Sequence, residues 1–86
     1  MHPDDVRLLR EIKEAKDGRK AFSQREGQPY KLFELEVLRL LELREQRLIT
    51  MRPDPIGSSR GGGQYLKTGI CELTLKGHEA LARFGD

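Results

Sequence analysis

The fold is decided by residues 30–55, whose sequence is YKLFELEVLRLLELREQRLITMRPDP. Residues 30–47 contain no glycine or proline and consist almost entirely of good helix formers, which predicts at least one helix. The segment can also form two helices that meet near residues 34–36, although no residue there forces a break. Residues 48–52 favour a β-strand, and Pro53-Asp54-Pro55 ends both helix and sheet ladder. A helix that leads directly into a strand and a turn is therefore predicted.

The predicted central helix has an unusually broad apolar surface, interrupted only by a narrow polar strip of Glu36, Arg39, Glu42 and Gln46. This pattern is typical of a helix that is buried on most of its circumference. A single domain of 86 residues can hardly cover so much apolar surface, so we expect a homodimer or another protein partner to pack on this helix. The apolar residues are Leu32, Phe33, Leu35, Val37, Leu38, Leu40, Leu41 and Leu43.

The N-terminal third of the chain predicts a second helix and a connector. Residues 4–17 have apolar side chains at three-residue steps, which indicates an amphipathic helix. An aspartate at position 4 or 5 can cap its start, and Gly18 can cap its end. Residues 18–29 have no helical periodicity and predict a loop or short extended segment with Phe22 tucked in.

The C-terminal third predicts a hairpin followed by a last helix. Residues 56–63 hold four glycines, two serines and Arg60, and residues 64–73 then form a longer β segment. Together with the strand predicted at residues 48–52, these segments indicate a hairpin with a flexible tip. Thr74 can cap a helix that ends at Gly85.

The composition describes one small domain, residues 1–86, without an extreme charge. Sixteen basic and fourteen acidic residues give a net charge of +2, which falls short of the balance of a histone-like protein but permits nucleic-acid binding. No apolar window is long enough to span a bilayer, and residues 1–5 are unlike a signal peptide. We therefore expect a cytoplasmic protein with no membrane partner.

Residues with catalytic or metal-binding chemistry are few. Cys71 is the one cysteine, and the two histidines, His2 and His78, do not complete a zinc set with it. A buried Cys71 and a surface or partly buried His78 are the expected roles. No enzyme activity, cofactor, catalytic residue or metal ligand is predicted.

The predicted order is helix, extended link, helix or helix pair, strand, glycine-rich tip, strand and helix. This is the order of a winged helix-turn-helix domain, in which a recognition helix precedes a two-stranded wing. The chain has Leu48-Ile49-Thr50, then Arg52-Pro53-Asp54-Pro55, and later LTLKGHEAL at residues 73–81. Over residues 37–84 these motifs resemble the MarR-type and, more loosely, the PadR-type transcription regulators. The resemblance implies an α+β fold and a homodimeric regulator that binds double-stranded DNA.

Three departures from these regulators matter, and one is the wing tip at residues 56–61, which keeps a single arginine of the family's acidic-then-arginine pattern. Arg47 stands where the family usually has glycine at a helix end, a position that favours a left-handed residue. Glu34, Leu35 and Leu38 stand where the family has its groove-reading residues. An acid there repels phosphate, and leucines offer no donors to base edges. Contact through the wing is therefore predicted in place of groove reading.

The predicted DNA-contacting residues are Lys31, Arg39, Arg52, Arg60 and Lys67. The last three surround the wing and would contact phosphates, whereas Lys31 and Arg39 would approach from the helix. The alternative hypothesis is a protein-interaction module on the same scaffold that does not bind DNA, since function depends on sites and not on architecture. The near-neutral charge and the leucine-rich helix favour that alternative.

Overall fold

The structure is a computed structural model that describes residues 1–57 and 64–85. It has an α+β fold, which confirms the predicted class. The helices are α1 (Pro3–Glu14), α2 (Tyr30–Glu45) and α3 (Leu75–Phe84), with a 3-10 turn at Lys16–Gly18. The strands are β1 (Arg19–Lys20), β2 (Ile49–Arg52), β3 (Ile56–Gly57), β4 (Tyr65–Lys67) and β5 (Ile70–Leu73).

The strands form two antiparallel sheets. The larger sheet has the order β1-β5-β2, and its register places Ile49 opposite Leu73 and Met51 opposite Cys71. The smaller sheet pairs β3 with β4, and we call these two strands the hairpin. Because side chains alternate along a strand, Met51 and Cys71 share the buried face of the larger sheet.

The predicted long β segment of residues 64–73 is divided into β4 and β5 in the structure. The division lies at Thr68 and Gly69, where the chain turns toward the connector before α2. The backbone amide of Thr68 donates to the carbonyl of Phe22 at 2.8 Å, and the Phe22 amide donates to Thr68 Oγ1 at 2.8 Å. These two bonds hold Phe22 against the base of the hairpin. Phe22 is buried, as the sequence predicts.

The core lies between the larger sheet and one face of each helix. The buried side chains of α1 and of α2 lie mostly three or four residues apart, so each set shares one helix face. No helix in the described part of the chain is long and apolar enough to cross a membrane. The buried apolar residues are Leu8, Leu9, Ile12, Phe22, Phe33, Val37, Leu40, Leu43, Leu48, Ile49, Met51, Cys71 and Leu81.

The ends of α1 differ from the sequence prediction. The side chain of His2, and not that of Asp4 or Asp5, accepts a hydrogen bond from the Asp4 amide at 3.0 Å and caps the helix. The helix ends at Glu14, three residues earlier than predicted. The chain then turns through left-handed backbone at Asp17 and Gly18, which leads it into β1.

The connection from α2 to β2 has a residue in the left-handed conformation at the end of the helix. Arg47 has a φ of 62°, and the amide of Leu48 donates back to the carbonyl of Leu43 at 3.0 Å. This pattern closes the helix by satisfying one of its last carbonyl groups. Arg47 is thus a side-chain-bearing residue in a backbone conformation that glycine adopts more easily.

The start of α3 is fastened to this same connection. As predicted, Thr74 caps the helix: its Oγ1 accepts from the Gly77 amide at 3.0 Å, and it also donates to the carbonyl of Arg47 at 2.7 Å. The Thr74 amide donates to the carbonyl of Leu48 at 3.0 Å. These contacts explain the spacing of threonine and glycine in the LTLKG segment, since Gly77 lies against the backbone of Leu48.

Candidate interaction surface

The outer face of α2 presents three leucines to solvent. Leu32, Leu35 and Leu38 are 52%, 51% and 48% exposed, respectively. Steps of three residues place them along one side of the helix, and we call them the leucine stripe. The single chain therefore buries only one face of α2, and burial of the rest of its circumference by a partner stays a prediction. The core covers the face that holds Phe33, Val37, Leu40 and Leu43, and the opposite face is open.

Charged residues lie at both ends of the leucine stripe. Lys31 and Glu42 are exposed, and Glu34 is partly exposed on the edge of the face. Lys31 forms no ion pair within the described residues. The outer face is thus apolar in its middle, basic near its N-terminal end and acidic toward its C-terminal end.

Glu36 was predicted to lie on the exposed polar strip of α2, and the structure shows that it is buried. The residue is 7% exposed, and its Oε1 accepts hydrogen bonds from Arg7 at 3.1 Å and from Arg25 at 3.2 Å. Arg7 lies on α1 and Arg25 lies in the connector before α2. This carboxylate therefore fastens three segments together, and its partners are too distant in sequence for periodicity to reveal them.

Arg39, a predicted DNA contact, is engaged within the protein. Its guanidinium group lies 3.3 Å from Asp5 Oδ1 and 3.7 Å from Asp4 Oδ2 at the start of α1. His2 lies 3.3 Å from the same guanidinium group. Two carboxylates beside this arginine reduce its attraction for a phosphate. Its position favours a role in joining α1 to α2.

A cleft lies beside the leucine stripe, between the start of α1, the connector and α2. Leu32 and Leu35 form part of its wall, and Arg25, Gln28 and Asp4 form its polar border. The side chain of Gln28 accepts from the Arg25 amide at 3.0 Å, which holds the connector in its turn. The stripe therefore continues into a concave surface on one side.

The remaining predicted DNA contacts lie on or near the hairpin. Arg52 is exposed at the end of β2, and Lys67 is exposed on β4 opposite Ile56. Arg60 lies outside the described residues. The hairpin is adjacent to the start of α2, since the Tyr65 amide donates to the hydroxyl of Tyr30 at 2.6 Å. The structure thus brings β4 next to the helix turn that holds Lys31, whereas Arg39 lies against α1.

The carboxylate nearest in sequence to Arg52 is occupied by another residue. Asp54 accepts a hydrogen bond from Arg44 of α2 at 2.6 Å. Neither Arg52 nor Lys67 forms an ion pair within residues 1–57 and 64–85. Both cations are therefore open to a ligand with negative charge.

The groups with reactive chemistry lie apart from this surface. Cys71 is buried in the larger sheet, and burial raises the pKa of its thiol to about 11, against smaller opposite effects of the Thr68 hydrogen bond and the Arg44 charge. A thiol with such a pKa is protonated at neutral pH and a poor nucleophile. His78 is exposed on α3. Among the described residues, no group of three His, Cys, Asp or Glu could hold a metal ion.

The chain matches no protein-family model, no curated protein and no solved structure. The likeness to MarR-type and PadR-type regulators stays a prediction from motifs.

Proposed function

We propose that this protein is a protein-interaction module that binds its partner through the leucine stripe of α2. The observation that supports this function is the half-exposed state of Leu32, Leu35 and Leu38 on one face of one helix. Large apolar side chains are commonly exposed singly on a soluble protein, but a contiguous group of them marks an interaction surface. The concave cleft beside Leu32 and Leu35 adds shape to that surface.

Burial of the apolar surface that the three leucines of the stripe leave exposed would contribute to the stability of a complex. Full burial of a leucine side chain contributes about 1.5–3 kcal/mol, so hiding the exposed half of each leucine contributes about 1 kcal/mol apiece. Other large apolar residues are exposed as well, including Leu66 at 58% and Leu75 at 76%, but they lie on separate elements. The three leucines of the stripe act together because they share one helix face.

The same residues make α2 a poor reader of the DNA major groove. Base edges are recognised by hydrogen-bond donors and acceptors, and Leu35 and Leu38 have neither. Glu34 adds a negative charge at the edge of this face, and Arg39 is held by two aspartates. The scaffold, which we interpret as a winged helix from its order of α2, β2, hairpin and α3, would thus serve protein binding.

Site-specific photocrosslinking tests this function. A benzoylphenylalanine is placed at position 35 or 38 in cells that produce the protein, and crosslinked species are compared by mass. Position 75 is the matched control, because Leu75 is the more exposed residue but lies alone at the start of α3. We expect a discrete protein adduct from positions 35 and 38 and little from position 75. Equal labelling from all three positions would refute the assignment.

A second candidate function, contact with duplex DNA through the hairpin, is favoured by a separate observation. Arg52 and Lys67 are exposed, and Asp54 is already bound to Arg44. Phosphate contacts of this kind depend on salt, with a slope of about one per cation. Fluorescence anisotropy with random duplex DNA at low and moderate salt tests this function.

Variants that each remove one positive charge on or near the hairpin test this contact with DNA. Arg52→Ala, Lys67→Ala and Arg60→Ala should each weaken binding and lower the salt slope by about one. Lys13→Ala, on the exposed side of α1, is the control and should leave the slope unchanged. An absence of binding at low salt would eliminate this second function.

A further inference from the structure

We propose that the partner of the leucine stripe is a second copy of this chain, with the two α2 helices packed antiparallel about a twofold axis. This inference rests on the proposed function, because it uses the same surface. It adds the identity of the partner, its orientation and its register. The support is the order of charged and apolar residues along the outer face of α2.

Four side chains form a seam along α2. Lys31, Leu35, Leu38 and Glu42 are separated by steps of four, three and four residues, the spacing with which two helices pack against each other. At 100° per residue they fall within an arc of about 60°. All four are exposed in the single chain, so the whole seam is accessible.

The seam is complementary to itself when the second helix runs in the opposite direction. Positions 31 and 42 lie equally far from the midpoint between residues 36 and 37, as do positions 35 and 38. A twofold axis at that midpoint places Lys31 opposite Glu42 of the partner subunit and Leu35 opposite Leu38 of the partner subunit. Twofold symmetry repeats each contact, so both charged ends are paired and the leucines fill the middle.

A parallel arrangement of the two helices is unfavourable by the same charges. It would place Lys31 opposite Lys31 of the partner subunit and Glu42 opposite Glu42 of the partner subunit. Like charges that face each other across an interface repel, whereas opposite charges attract by a similar amount. The charge pattern therefore selects the antiparallel orientation, and the apolar stripe supplies the association.

Leu32 lies at the side of the seam that borders the cleft. Arg39, a partly exposed neighbour on the same side, is held by Asp5. The interface is small, with three leucines from each copy. Small interfaces give weak and reversible complexes, so we expect the dimer to form only toward high micromolar concentration.

Sedimentation equilibrium of the full chain between micromolar and high micromolar concentration tests the proposal. The wild type should shift from a mass of 9.9 kDa toward twice that value. Lys31→Glu or Glu42→Lys each replaces two attractive pairs by two repulsive ones, and should weaken the dimer by roughly tenfold. Lys13→Glu makes the same charge change on α1 and should have no effect.

Combining the two reversals provides the decisive measurement. Lys31→Glu with Glu42→Lys in one chain restores opposite charges across an antiparallel seam, and wild-type association should return. In a parallel dimer, positions 31 of the two copies would face each other, as would positions 42, so the double variant would still have like charges opposite each other. Failure of the double variant to recover would overturn the antiparallel register.

The outcomes separate this inference from the proposed function. A wild type that stays at 9.9 kDa throughout overturns the second copy as partner, while an adduct with another protein from position 35 would leave the proposed function intact. Dimerisation that survives both Leu35→Glu and Leu38→Glu, with helical content retained by circular dichroism, would place the dimer interface elsewhere. That result also overturns the inference.

Discussion

Replacement of Gly77 by alanine tests how α3 is attached to the rest of the fold. Gly77 is buried in the first turn of α3, where alanine is ordinarily the better helix former by about 1 kcal/mol. A Cβ at this position would lie 2.0 Å from the carbonyl oxygen of Leu48 and 3.0 Å from its carbon. Helix propensity therefore predicts that Gly77→Ala stabilises the protein, whereas packing predicts that it destabilises the protein.

Packing should outweigh propensity because both backbones are tied together. Relief of the overlap requires α3 to move away from Leu48, where the Thr74 amide bonds to the Leu48 carbonyl at 3.0 Å and Thr74 Oγ1 bonds to Arg47 at 2.7 Å. Loss of two such bonds costs about 2 kcal/mol, and overpacking adds about 1–3 kcal/mol. After subtraction of the propensity gain, Gly77→Ala should destabilise the protein by about 2–4 kcal/mol.

Urea unfolding followed by circular dichroism measures this change in the free energy of unfolding. For a domain of this size, each kcal/mol corresponds to about 4–8 °C in Tm, so a thermal melt should detect it easily. Glu79→Ala, at an exposed position of the same helix, is the control and should stay within about 0.5 kcal/mol of the wild type. A Gly77→Ala variant as stable as the wild type would refute the close approach of α3 to Leu48.

Four further predictions concern single side chains. Arg47→Gly should stabilise the protein by up to about 1 kcal/mol in urea unfolding, because the residue has a φ of 62°. Leu40→Ala should destabilise the fully buried core by about 2–5 kcal/mol, and a small change would contradict the packing of α2. Glu36→Ala should lower stability by about 1–2 kcal/mol through loss of Arg7 and Arg25, while Glu34→Ala should have little effect; equal Tm values would argue against the buried carboxylate. The Cys71 thiol has a pKa raised by burial from 9.0 to about 11, so stability should fall as pH rises across that interval, and Cys71→Ala should lack this part of the decline.

The sequence by itself determined the features that depend on neighbouring residues. The helix of α2 and the strand after it follow from helix formers that give way to a β-prone segment, and Thr74 caps α3 through contacts within one turn. The left-handed residue at Arg47 also lies where the sequence indicates a helix end. These features are local because their hydrogen bonds join residues only a few positions apart.

The tertiary structure alone decided which face of α2 is covered. Apolar residues occur around most of the helix, so periodicity could not distinguish the buried Val37 and Leu40 from the exposed Leu35 and Leu38. The choice depends on where α1 and the sheet pack. Glu36 shows the same dependence, since its burial requires arginines 29 and 11 positions away to meet it. Charge pairs and exposed faces of this kind arise from the packing of distant segments, which no local pattern encodes.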